Sequence, residues 1–197
     1  MKKITIVDYG SGNVLSAQKS FIKIAKDNNI EVDVLISKKL NDVKNSTHIV
    51  LPGQGAFSTC MNGLKKTDGL IDELCEFALI KKKPFLGICV GMQMLANMSE
   101  ENGVHEGLGW IDGQIKLLPG DNLKLPHMGW NLAVPTNSKY NNLISNKNDY
   151  YFVHSYYFDC ANKDNILAET KYGTNFASIV GKENIYGVQF HPEKSSS

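Results

Sequence analysis

Short runs rich in β-branched and aromatic residues alternate along the chain with stretches whose apolar positions recur at helical spacing. Lys3-Ile4-Thr5-Ile6-Val7 is one such run and ends in Gly10-Ser11-Gly12-Asn13, so it predicts a buried strand entering a turn. Over residues 15–28, Leu15, Phe21, Ile22 and Ala25 predict a helix. Residues 32–36 and 48–51 predict two more strands, the second stopped by Pro52-Gly53-Gln54-Gly55. A further helix is expected over 70–80, a strand over 84–88 and a helix over 92–98.

Such alternation argues for a parallel sheet with helices on both faces. After about residue 110 the pattern changes. Residues 110–118 alternate like an antiparallel or edge strand, and 149–158 and 185–190 read as aromatic-rich strands. The polar, Asn-rich stretch 141–148 reads as a surface loop. Neither repeat nor linker interrupts the chain, so a single α/β domain over residues 1–197 is expected.

Composition narrows the function classes. Apolar residues make up 42% and charged residues 21%, with a formal net charge of +1, so no global field points to nucleic acid or an anionic membrane. The first apolar run is too short for a signal peptide, and no run reaches membrane-spanning length, so a cytoplasmic location is expected. Cys60, Cys75, Cys89 and Cys160 lack the spacing of a zinc site. Three of them read as small apolar fillers. Gly10-Ser11-Gly12 lacks the third glycine of a dinucleotide fingerprint. Neither a metal nor a cofactor is expected.

Cys89 stands apart. Gly87-Ile88-Cys89-Val90-Gly91 sets it between glycines where a strand is expected to give way to a helix. That spacing suits a nucleophile on a sharp turn, with backbone N–H groups and a helix N-terminus favouring a thiolate and an oxyanion. A buried structural Cys in a βα turn would use the same glycines. Near the other end, Gly187-Val188-Gln189-Phe190-His191-Pro192-Glu193 places a carboxylate two residues from an imidazole. Pro192 disfavours helix, and on an extended segment both side chains share a face. Glu193 can then orient His191, and His191 can move protons for Cys89. Of the five histidines (His48, His105, His127, His154, His191), only His191 has this neighbour.

The two motifs together resemble those of the class I, triad-type glutamine amidotransferases. Gly87-Ile88-Cys89-Val90-Gly91-Met92-Gln93 is similar to their nucleophile motif, and Phe190-His191-Pro192-Glu193 to their His/Glu motif. Asp8-Tyr9-Gly10-Ser11-Gly12-Asn13, Leu51-Pro52-Gly53-Gln54-Gly55-Ala56-Phe57, Pro126-His127-Met128-Gly129-Trp130-Asn131 and Phe152-Val153-His154-Ser155-Tyr156-Tyr157 resemble the amidotransferase subunits of imidazole glycerol phosphate synthases. The resemblance spans about residues 4–195. It implies a flavodoxin-like doubly wound, mostly parallel sheet with added antiparallel strands. It also implies hydrolysis of L-glutamine by Cys89, His191 and Glu193, and a heterodimer with a (β/α)8-barrel cyclase of histidine biosynthesis that receives the ammonia. Carried over position by position, Gln93, Glu101, Ser155 and Tyr156 would hold the glutamine. The N–H groups of Val90 and of the Gly53-Gln54 segment would form the oxyanion hole. Asn13, Trp130 and Lys194 are expected at the partner surface.

Two departures stand out. Family members usually carry an aliphatic residue where this chain has Gln54, and they continue past the His/Glu motif into a helix that this sequence does not contain. Similar subunits supply ammonia to other synthases, for example those that aminate surface sugars. An inactive scaffold and a cysteine peptidase or DJ-1-like protein are the competing readings. The intact Cys89, His191 and Glu193 weigh against the first, and the Gln93 and Glu101 pair against the second.

Overall fold

The computed structural model describes residues 1–120, 123–141, 144 and 148–194. β1 (Lys2–Val7) leads through α1 (Val14–Asp27), β2 (Val32–Ser37), the short α2 (Leu40–Lys44) and β3 (His48–Gly53) to α3 (Phe57–Lys65) and α4 (Leu70–Cys75). A π turn over Glu76–Ile80 carries α4 towards β4 (Phe85–Cys89), which runs straight into the single-turn α5 (Val90–Gln93). The rest is mainly β structure. β5 (Met98–Ser99), β6 (His105–Glu106), β7 (Gly113–Leu117), β8 (His127–Leu132) and β9 (Val134–Pro135) come first. They are followed by β10 (Asp149–His154), β11 (Tyr156–Cys160), β12 (Ile166–Tyr172), β13 (Thr174–Lys182) and β14 (Ile185–Val188).

Eight strands form the central sheet in the order β2-β1-β3-β4-β14-β13-β12-β9. The first five run parallel, in the order of a flavodoxin-like sheet, and pairing turns antiparallel from β14 to β13 onward. β3 is buried along five of its six residues, as a parallel strand covered on both faces must be. A second sheet, β11-β7-β5-β6, meets β13 through β11, and the β10-β8 ribbon meets β12 through β8. One apolar cluster surrounds the parallel strands. Another, built on Phe152, Phe176 and Phe190, lies beneath the antiparallel ones.

Several expectations are corrected. The helix expected over 92–98 ends at Gln93, and Met98 is already in β5. The i→i−3 bonds Leu95 N–H to Met92 O and Ala96 N–H to Gln93 O tighten the chain, and the paired bonds of Asn97 to Gly113 draw it onto β7. Met92, Met94, Leu95 and Ala96 are all fully buried, so apolar residues here mark enclosure on every side rather than a helix face. The aromatic run 149–158 is two strands, because β10 pairs with β8 while β11 pairs with β7. The long β12–β13 hairpin was not anticipated. Of the expected loop 141–148, residues 142, 143 and 145–147 lie outside the described residues, as do 195–197.

Candidate active site

Three chain segments meet at the carboxyl ends of β3, β4 and β14, where open α/β sheets place ligands. Cys89 is the last residue of β4 and has φ +55° and ψ −114°, a strained backbone for a side chain other than glycine. Glycines make the turn fit. A Cβ on Gly91 would lie 1.8 Å from Leu51 O, one on Gly53 2.5 Å from Gly91 N, and one on Gly87 2.5 Å from Gly91 O. The turn is thus pressed against β3 by backbone contact alone. With α5 only one turn long, the dipole expected to favour a thiolate shrinks to the free N–H groups of that turn.

His191 follows β14, its N–H donating to Tyr151 O at 2.9 Å. Its Nδ1 lies 2.9 Å from Glu193 Oε1, and its ring lies near enough to Cys89 for the sulfur to act on its charge. Glu193 reaches the ring by another route than the extended segment expected: Pro192–Lys194 is a 3-10 turn closed by Lys194 N–H to His191 O at 3.1 Å. Burial opposes a charge on His191, but hydrogen bonds to Cys89 and Glu193 and their negative charge outweigh it, raising its pKa from 6.5 to about 9. The imidazole is therefore protonated at neutral pH.

A cavity of about 350 Å³ opens beside Cys89, and Gln54, Val90, Gln93, Glu101, Ser155 and Tyr156 all line it together with His191. Glu101 Oε2 accepts the Phe57 N–H at 2.7 Å, capping α3, whose preceding residue Ala56 offers no side-chain cap. Gln93 is buried, and its Nε2 donates to Tyr156 O and to Gln189 Oε1, both at 3.1 Å. Ser155 and Tyr156 form the junction between β10 and β11. The Gln54 N–H points at Ser11 Oγ at 3.4 Å, and Ser11 Oγ donates to Gln54 O at 2.6 Å. That N–H is not directed at Cys89. Gly53 packs behind the turn rather than in the cavity wall. Cys60, expected as filler, hydrogen-bonds Ser11 Oγ at 3.3 Å.

The remaining named residues lie outside the cavity. Asn13 caps α1, its side chain accepting Ser16 N–H at 3.4 Å. Trp130 is 53% exposed and stacks edge-on against Tyr151, over which Lys194 Nζ sits at 5.4 Å. Met128 and Leu132, its neighbours on the same face of β8, are exposed as well.

Sequence reasoning missed a histidine pair beside the cavity. His154 Nδ1 donates to Tyr156 O at 2.8 Å, so its Nε2 accepts from His127 Nδ1 at 3.1 Å, and Asn131 Nδ2 lies 3.3 Å from His127 Nε2. Burial lowers the pKa of His127 to about 4 and, with the neighbouring histidines, that of His154 to about 3, so both rings stay neutral. It missed Gln189 too, whose Nε2 lies 3.7 Å from Cys89 Sγ. The only sign of it was its place two residues before His191. Among the described residues no cluster of His, Cys, Asp and Glu could hold a metal, and no helix is long and apolar enough to cross a membrane.

The glutamine amidotransferase class-I sequence model matches residues 5–197. The chain is 46% identical over 195 residues to the imidazole glycerol phosphate synthase subunit HisH of Pelagibacter ubique, covering 98% of this chain and 92% of that one. To the HisH subunit of Rhodospirillum rubrum it is 42% identical, covering 99% and 93%. A crystal structure of a glutamine amidotransferase superposes with a TM-score of 0.68 at 15% identity, covering 96% of this chain and 90% of the other. One from Thermotoga maritima gives 0.62 at 20%, covering 98% and 76%. At those identities the two structures speak for the fold alone. On the sequence matches, this chain belongs to the class-I glutamine amidotransferase family, within its imidazole glycerol phosphate synthase subunit HisH branch.

Proposed function

We propose that the whole chain, as one amidotransferase domain, is the glutaminase subunit of imidazole glycerol phosphate synthase in histidine biosynthesis. On this reading it forms a heterodimer with a (β/α)8-barrel cyclase and works in the cytoplasm, where its free cysteines stay reduced. The observation that carries the reading is a strained Cys89 beside a Glu193-braced His191 at the wall of a cavity that Gln93, Glu101, Ser155 and Tyr156 also line.

The chemistry follows from those groups. The Cys89 thiolate attacks the side-chain amide carbon of glutamine. His191 gives its proton to the departing nitrogen, so ammonia leaves and a γ-glutamyl thioester remains. Neutral His191 then takes a proton from water, the hydroxide opens the thioester, and glutamate leaves as its new carboxyl group gives its proton to solvent, with thiolate and imidazolium restored. Glu193 fixes the ring tautomer and stabilises its charge in both halves. Glu101 offers a carboxylate for the ammonium of glutamine. Gln93 braces the Tyr156 carbonyl, since its amide nitrogen is committed there.

The Val90 N–H can serve the oxyanion directly. The Gln54 N–H can serve only after its peptide turns away from Ser11. This supports a subunit that is nearly idle alone and is switched on when the cyclase turns that peptide. The exposed Trp130 beside Tyr151 and Lys194, with Asn13, is the proposed partner face.

Glutamate release, measured for the chain alone and with the matching cyclase plus its nucleotide ligand, tests the reading. Stimulation by the cyclase that disappears in Cys89→Ala supports both the triad and the pathway. Glutaminase activity indifferent to that cyclase would point to another acceptor synthase, and inactivity in both states would refute the proposal.

A further inference from the structure

Gln189 is fully buried on the segment leaving β14, its backbone N–H fixed to Ser178 O at 2.9 Å. Its side chain links the nucleophile candidate to the rim of the cavity. Gln93 Nε2 donates to Gln189 Oε1 at 3.1 Å, and Gln189 Nε2 lies 3.7 Å from Cys89 Sγ. The oxygen and nitrogen of a side-chain amide have nearly the same shape, so their assignment must come from partners. Here the partners decide. Gln93 donates to the Tyr156 carbonyl, which can only accept, so Gln93 presents its nitrogen to Gln189 as well. The oxygen of Gln189 is thereby taken, and its nitrogen is the atom left for the sulfur.

Two groups that carry N–H therefore lie near Cys89 Sγ: the His191 ring, and the uncharged amide of Gln189. They differ in one respect. His191 gives its proton to the departing nitrogen and regains one from water, so its charge comes and goes with that of the sulfur. An amide N–H keeps its proton throughout and can stabilise that anion whenever it appears, including when the thioester opens and the sulfur departs. We propose that Gln189 is a positioning residue for Cys89, aiming the sulfur and holding its anion through an amide pair that Gln93 locks to the Tyr156 carbonyl. The inference rests on the reading of Cys89 as the nucleophile.

Alkylation of Cys89 by iodoacetamide tests it without recourse to turnover. The full chain is treated across pH 5 to 10, the Cys89 peptide is quantified by mass spectrometry, and thermal unfolding is recorded on the same samples. Wild type is compared with Gln189→Leu and Gln189→Glu. The leucine removes the donor, whereas the glutamate keeps the acceptor for Gln93 and sets a carboxylate against the sulfur. The expected result is alkylation at pH 7 slowed about tenfold in the leucine variant, the size of one lost hydrogen bond to an ion, with its profile displaced to higher pH. The glutamate variant should be slower still. In the complex with the cyclase, kcat should fall by a similar factor with KM for glutamine little changed. Profiles that overlay wild type in a folded variant overturn the proposal, and if the leucine variant does not fold the glutamate variant decides. A Gln189-dependent profile in a protein that releases no glutamate would uphold the positioning role and sink the glutaminase reading instead.

Discussion

Cys89 and His191 could be found from sequence because each carries a local signature: glycines at fixed offsets in one case, a carboxylate across a proline in the other. Gln189, His154 and His127 stand inside segments that resemble the family, but no neighbour in sequence tells what each does. Their roles depend on contacts across the fold, such as the 3.7 Å approach of Gln189 to a cysteine 100 residues away. Gln54 was legible only in part, since the direction of a peptide N–H is not written in residue identity. The raised pKa of His191 has a thermodynamic consequence. The folded chain keeps a proton that the unfolded chain releases above its ordinary value of 6.5, and it keeps it up to about 9. The resulting stability is complete below pH 6.5 and is lost as pH rises through 9. The thermal midpoint is therefore expected to drop by several degrees between pH 7 and pH 10, and less steeply in Glu193→Gln, where one source of the shift is gone. Equal slopes in the two proteins, followed by circular dichroism, would contradict this assignment.

Strand–helix alternation revealed the parallel half well, because buried parallel strands and amphipathic helices have different periods. It misled at α5 and at residues 149–158. At α5 burial on every side hides where the helix stops, and at 149–158 the alternation runs on through Ser155 while the pairing partner changes from β8 to β7. The βα turn at Cys89 shows how little room such enclosure leaves. Gly91 sits against the Leu51 carbonyl, where a methyl group would fall at 1.8 Å. Gly91→Ala is thus expected to cost more than about 3 kcal/mol, or to push β4 off β3, because the obstructing atom is backbone and cannot rotate aside. Urea unfolding measures the loss. A variant within about 0.5 kcal/mol of wild type would show that the strands separate more easily than this packing implies.

For the molecule as a whole, the family resemblance foretold the flavodoxin-like strand order and the antiparallel extension. Periodicity alone reached only an α/β sheet. The surface is where sequence said least, since Trp130 could equally have been core. Its exposure, flanked by Met128 and Leu132 on one face of β8, is what makes it the proposed partner surface. Trp130→Ala is expected to weaken association with the cyclase by about 2 kcal/mol, roughly thirtyfold in Kd, while leaving the thermal midpoint of the free chain in place. Titration calorimetry would settle it, and an unchanged affinity would move the interface elsewhere.

β14, whose end carries His191, is inserted between β4 and β13 in the middle of the central sheet. Its partner β4, which ends at Cys89, lies about a hundred residues earlier in the chain. Pairings of such sequence separation form late during folding. A nascent or partly folded chain thus holds Cys89 apart from His191, and the proposed nucleophile and base meet in the same event that closes the sheet. Refolding should accordingly restore glutamine hydrolysis, assayed with the cyclase present, together with the native tertiary signal, so that on the proposed reading immature copies consume no glutamine.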